Sequence, residues 1–204
     1  LDLASYELQD NGTEQDFDEL SKLVAMYFNC PIALITVIDN NRQWFKGKTG
    51  TTETGNDRNL SFCSHTLLLD EVMVVEDATK DERFYDNPFV AGEFNIRFYA
   101  GAPILSTDGF KLGTVCIYHT KPQKFYAKKK NALKLFSKQV TKLLELKKKN
   151  TMLLQQAEEI ITFKTEIFTG FMQDQENYRK DIAYHLHEDY AQVIAASLIN
   201  LQMA

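Results

Sequence analysis

The chain is poor in cysteine, proline and glycine, and the placement of the few it has excludes several architectures. Its three cysteines, Cys30, Cys63 and Cys116, stand far apart with no C-x-x-C pair. That argues against a disulfide framework and for a reducing, cytoplasmic compartment. No apolar stretch approaches the ~20 residues that a membrane helix needs. The longest, residues 30–38, is far shorter, and the first residues carry no signal-peptide pattern. Positive charge is in deficit: the net charge is −5 and the pI about 5.4, which speaks against nucleic acid as the main partner. What is present is a 44% hydrophobic share of 204 residues, enough for one ordinary domain and an extension. The chain starts at Leu1 and stops in mid-pattern at "AASLINLQMA", as expected of a portion of a longer protein.

The four prolines all lie at or before Pro122, and up to that point strands, turns and short helices alternate. Phe17, Leu20, Leu23, Val24, Tyr27 and Phe28 are spaced as on an amphipathic helix, which Cys30-Pro31 ends. Residues 32–39 form a β-rich run closed by "DNN", and "RQWFKGKTG" reads as the returning arm of a hairpin. Residues 60–69 suggest a helix with Ser61 near its cap, and residues 72–77 a short strand. Residues 81–92 are turn-rich. "IRFYAGAPILSTDGFKLGTVCIYH" reads as two antiparallel strands joined at "STDG". Five strands and about four helices make an α+β pattern.

Beyond Pro122 the character changes. From residue 125 to 203 there is no proline and a single glycine, Gly170. In a heptad frame begun at Leu133, the first positions are Leu133, Val140, Lys147, Leu154, Ile161, Phe168, Gln175 and Ile182. The fourth positions are Phe136, Leu143, Asn150, Ala157, Lys164, Phe171 and Tyr178. Eleven of these fifteen are apolar. A stripe with a 3.5-residue repeat sustained for that long predicts a parallel coiled coil and hence a homodimer. The competing arrangement is one long helix packed on its own domain. Lys147, Asn150 and Lys164 weaken the seam, and the lysines between residues 128 and 149 read as a solvated face.

Past Ile182 the stripe shifts by four residues to Ile182, Leu186, Tyr190, Val193 and Ser197, a change that widens a coiled coil toward a four-helix bundle. The motif R-x-x-I-A-x-x-L-H-E-x-x-x-Q is filled here by Arg179, Ile182, Ala183, Leu186, His187, Glu188 and Gln192. It resembles the phosphoacceptor helix of sensor histidine kinases, in the subfamily whose histidine is followed by an acid and, four residues later, by Gln. The resemblance implies that His187 is phosphorylated, that Glu188 polarises its imidazole, and that Gln192 positions water when a partner response regulator is dephosphorylated. It also implies ATP and Mg in a separate nucleotide-binding domain. Neither "NGT" at residues 11–13 nor "DGFKLG" at residues 108–113 is set as a nucleotide loop. A neutral imidazole is a good nucleophile near pH 7, and a neighbouring carboxylate favours the reactive tautomer.

Residues 16–123 are similar to GAF domains, which are small-molecule and chromophore sensor modules. The resemblance rests on "VIDNNRQWFK", "SFCSHT", "VVEDATKDERFYDNP" and "RFYAGAPI…DGFKLGTVCIYHTKP". It implies a central antiparallel sheet with helices on both faces and a pocket between the sheet and residues 77–92. Phe62, Phe84, Tyr85, Phe89, Phe98 and Tyr99 are candidate lining residues. Cys63 invites a bilin and His65 a haem, but a buried small side chain and a hydrogen-bonded one account for both, so no cofactor is expected. A third use, Cys63 as nucleophile toward an oxidised thioether, lacks a second cysteine nearby in sequence to resolve the oxidised thiol.

The expected organisation is therefore a GAF sensor at residues 1–123, a coiled-coil signalling helix at 124–177, and the start of a dimerisation and phosphoacceptor segment at 178–204. The expected function is the sensory portion of a cytoplasmic two-component histidine kinase. The alternative is a GAF module for ligand binding or dimerisation, without phosphotransfer.

Overall fold

The computed structural model describes the backbone of residues 14–202 and the side chains of residues 14–197, so residues 11–13 lie outside it. Helix α1 (Gln15–Phe28) ends where Asn29 takes a left-handed conformation, φ 51°, and returns its N–H to the carbonyls of Ala25 and Met26. Its buried face carries Phe17, Ser21, Val24, Ala25 and Phe28. Leu23 and Tyr27, expected on that face, are exposed. They lie about 140° and about 100° around the helix from Phe28. Ser21 takes the inner position by bonding the Asp18 carbonyl and the Thr49 hydroxyl, both at 2.8 Å.

Six antiparallel strands form one sheet in the order β3-β2-β1-β6-β5-β4. They are β1 (Ile32–Ile38), β2 (Arg42–Thr49), β3 (Gly55–Asp57), β4 (Met73–Val75), β5 (Phe98–Leu105) and β6 (Lys111–His119). The sequence suggested five. The strand it did not show, β3, is three residues without a β-branched or aromatic side chain, and it pairs on the edge of β2. The two long central strands β1 and β6 are buried almost throughout, and both faces of the sheet are covered. Alternate residues point to opposite faces. Ala33, Ile35, Val37, Val115 and Ile117 join one core with Phe17, Val24 and Phe28 of α1. Leu34, Ile38, Cys116 and Tyr118 join the other with Phe62, Cys63 and Phe84. Gly47 lets α1 lie against β2: a Cβ there would meet the Phe17 carbonyl oxygen at 2.2 Å.

Two short helices cover the second face, α2 (Phe62–Thr66) and α3 (Pro88–Ala91). The cap of α2 is Ser61, as expected; its hydroxyl accepts from the Ser64 N–H and donates to Gln43 Oε1.

Helix α4 runs from Ala127 to Gln202, and the chain divides into two compact units, one through Asn150 and one from Thr151. Within the first unit α4 belongs to the core. Leu133 and Val140 are fully buried and Leu144 nearly so, with Phe136 and Leu143 packed beside them. The proposed seam is thereby corrected over its first two heptads: Leu133, Phe136, Val140 and Leu143 pack on their own sheet. Lys147, read as a weak seam position, pairs instead with Glu14 and with Asp16 at 3.1 Å, its ammonium 5.0 Å from the centre of the Phe17 ring. The periodicity was legible, but a stripe does not say which surface covers it. In the second unit every side chain described from residue 152 on is exposed. No described helix is long and apolar enough to cross a membrane.

Candidate ligand cavity and phosphoacceptor helix

On the α2 side of the sheet lies a cavity of about 300 Å³. Its floor is Ile32 and Leu34 of β1, Phe45 of β2 and Tyr118 of β6; Leu60, Phe62, Phe89, Phe94 and Ile96 wall it, and Thr51, Glu53, Gly55 and Asn56 form one side. The strands supply their members by alternation. The walls are tied together by Asn87, whose Nδ2 donates to the Leu60 carbonyl at 3.0 Å while its Oδ1 caps α3 through the Phe89 N–H at 2.9 Å. Lys48 Nζ holds the rim by donating to the carbonyls of Thr52 and Glu53 at 2.8 and 3.0 Å. Beside this lining, Asn56 Oδ1 is buried with no hydrogen-bond partner among the described residues. A buried carbonyl left unmatched costs free energy until a donor reaches it.

The structure brings two of the expected lining residues, Phe62 and Phe89, to the cavity. Phe84 stands behind the wall, its ring stacked on Phe62 at 4.1 Å. Tyr99 is wholly buried and shares a 2.6 Å hydrogen bond with the Thr66 hydroxyl. Phe98 turns to the opposite face of the sheet, against Phe125, and Tyr85 is exposed. His65 packs edge-on against Phe84 at 4.9 Å, away from the cavity lining. Burial, together with the nearby Arg83 guanidinium, holds its imidazole below the ordinary value. Cys63 is fully buried, its Sγ 3.4 Å from Cys116 Sγ. Sequence reasoning did not find Phe94, Ile96, Tyr118 or Asn56. The alternation of β1 could have pointed to Leu34, whereas residues 51–56 carry no apolar pattern.

On α4 the side chains of His187, Glu188 and Gln192 are all exposed, as are Ile182, Leu186, Tyr190, Val193 and Ile194. The ring of His185 lies 5.8 Å from that of Tyr184.

A family model for the GAF domain matches residues 13–144. The chain belongs to the GAF-domain family. The matched span ends within α4, so the first turns of that helix are part of the domain. Among curated proteins, a cyclic di-GMP phosphodiesterase of Pseudomonas aeruginosa is 42% identical over 116 residues, which is 57% of this chain and 20% of that protein. This chain thus spans about a fifth of the length of that relative. Two solved structures share the fold at low identity. One is a domain assigned to a two-component sensor histidine kinase protein of Sinorhizobium meliloti: TM-score 0.53, 15% identity, 72% of this chain and 99% of that one. The other is a free methionine-R-sulfoxide reductase from Neisseria meningitidis in complex with its substrate: TM-score 0.57, 14% identity, 72% and 89% covered.

Proposed function

We propose that this GAF sensory domain is the input of a cytoplasmic two-component histidine kinase, and that His187 is its phosphoacceptor. The observation that carries the reading is the seven-position motif from Arg179 to Gln192 on a helix whose apolar stripe is exposed. Such a stripe has its natural cover in the same helix of a second chain. In the reaction a ring nitrogen of His187 attacks the terminal phosphorus of ATP. The N–P bond forms, the P–O bond to ADP breaks, and Glu188 accepts the proton of the other ring nitrogen. Gln192, five residues after His187, positions water for hydrolysis of the response regulator's phosphoryl group. ATP and Mg enter with a nucleotide-binding domain.

The input is a small, largely apolar molecule held in the cavity. A population of helix states that differ in this binding would carry the signal along α4, with Gly170 as the softest point of the exposed stretch.

The test uses the chain with a histidine-kinase ATP-binding domain, Mg and labelled ATP. His187→Gln should abolish acid-labile labelling while helicity and dimer mass are unchanged, and His185→Gln should keep much of it. Glu188→Gln should slow transfer by roughly 10²–10⁴. Labelling that survives His187→Gln and is lost in His185→Gln would move the site by two residues. The 42% identity to the phosphodiesterase favours a second reading, a GAF module serving another output. Absence of labelling at either histidine with an active ATP-binding domain would install it.

A further inference from the structure

Cys63 on α2 and Cys116 on β6 are 53 residues apart in the chain, yet their sulfurs lie 3.4 Å from one another and both side chains are fully buried. The Tyr99 hydroxyl donates to Cys63 Sγ at 3.4 Å, and the Tyr118 hydroxyl lies 3.6 Å from the same sulfur. Burial works to raise the Cys63 thiol. Its side-chain hydrogen bonds with Cys116, Thr114, Tyr99 and Tyr118 outweigh it and hold the group below its ordinary value. Burial and the neighbouring Cys63 push Cys116 well up. The Cys63 sulfur thus accepts from the Tyr99 hydroxyl and lies against Cys116. Cys30 contrasts with both: burial pushes it up to about 11, and its Sγ donates to the Ile32 carbonyl. Tyr118 lines the cavity and also touches Cys63, so a single side chain separates the sulfur from the cavity.

We infer that Cys63 and Cys116 form a peroxide-reactive dithiol, a modification site that closes to an intrachain disulfide. The Cys63 sulfur attacks one oxygen of hydrogen peroxide. The S–O bond forms, the O–O bond breaks, and the second oxygen leaves as water with the proton given up by the thiol. Cys116 sulfur then attacks Cys63 sulfur; the S–S bond forms, the S–O bond breaks, and a second water leaves. Two thiols have lost two electrons and two protons to the peroxide. The sulfurs must close from 3.4 Å to about 2.05 Å. The site does not depend on the phosphoacceptor reading of His187.

Reduced protein is treated with hydrogen peroxide, quenched, alkylated under denaturing conditions, digested and mapped by mass spectrometry. The peptides containing Cys63 and Cys116 should be linked, two hydrogens lighter than their reduced sum, while Cys30 is alkylated. Dithiothreitol should reverse the link. Cys116→Ser should leave Cys63 as a sulfenic acid that dimedone traps, and Cys30→Ser should link as the parent does. The same treatment in urea should link the pair much more slowly, because the fold brings the sulfurs together. The inference is overturned if Cys63 and Cys116 stay alkylatable after Cys30 has been oxidised, if the link involves Cys30, or if linking is as fast in urea. Should Cys116→Ser not fold, the map of the parent protein decides.

Discussion

The two units of this chain are built from similar apolar residues and use them in opposite ways. Through Asn150, a core finds cover within the chain: Phe17, Ile35, Val115, Leu133 and Val140 are all 0–1% exposed. From Thr151 on, Leu154, Ile161, Phe168, Phe171 and Ile182 recur at the same heptad spacing and remain 44–64% exposed. Leu133 and Leu154 are both first-position residues of one frame on one helix, α4, separated by three heptads. The difference lies in their surroundings: the first meets a sheet, the second meets solvent in the single chain. A helix stripe states only that something must cover it, and apolar patches of this extent on soluble chains mark interaction surfaces.

The sharpest way to break the comparison is to charge the exposed stretch. Ile161→Glu with Phe168→Glu should convert a dimer of twice the 23.5 kDa chain mass to monomer, read by light scattering at micromolar concentration. The folded unit should be untouched, as reported by Trp44, the single tryptophan, whose indole N–H is held by Asp39 at 2.8 Å. A parent protein that is already a clean monomer would remove the second chain as cover for the stripe.

The fold was legible where local pattern and tertiary role coincide. The run at residues 32–39 and the long hairpin of β5 and β6 announced themselves through β-rich composition and the turn at residues 106–109, where Gly109 takes φ 82°. Edge strand β3 did not, because its three residues owe their conformation to pairing with β2. The cavity was half legible: Phe62 and Phe89 follow from the aromatic clusters, but Asn56 and Tyr118 reach it through strand register. The pairing of Cys63 with Cys116 had no local sign at all, since a helix and a strand distant in sequence meet there on one face of the sheet. The motif around His187 is a spacing along one helix, and its side chains lie exposed there.

A milder change distinguishes the two ends of α4 one residue at a time. Leu133→Ala empties a fully buried position and should cost the first unit about 3 kcal/mol in denaturant unfolding followed at Trp44. Leu154→Ala removes the same atoms from an exposed position and should change that unfolding by no more than about 0.5 kcal/mol. Equal losses at the two positions would mean that the sheet does not end its cover of α4 near Leu144.

The smallest expected effect is on pH, and it belongs to the first unit alone. His65 is partly buried against Phe84, with Arg83 raising the cost of a second positive charge and Asp81 offsetting part of it. Its imidazole therefore binds a proton less readily in the folded chain than at the ordinary value of 6.5. In the unfolded chain more protons are bound at pH values just below 6.5, so stability rises with pH there. The contribution is fully present above pH 6.5 and is lost as pH falls below it toward the folded value. Asp81 does not confuse this window: its bidentate bond to Arg83 holds it below the usual carboxylate value, so it titrates lower still. Melting followed at Trp44 should fall slightly between pH 7 and the start of carboxylate titration near pH ~5. His65→Gln should flatten that slope, and Arg83→Gln should reduce it by removing the opposing charge. A slope unchanged in His65→Gln would assign the effect to another group and leave His65 as a packing residue only.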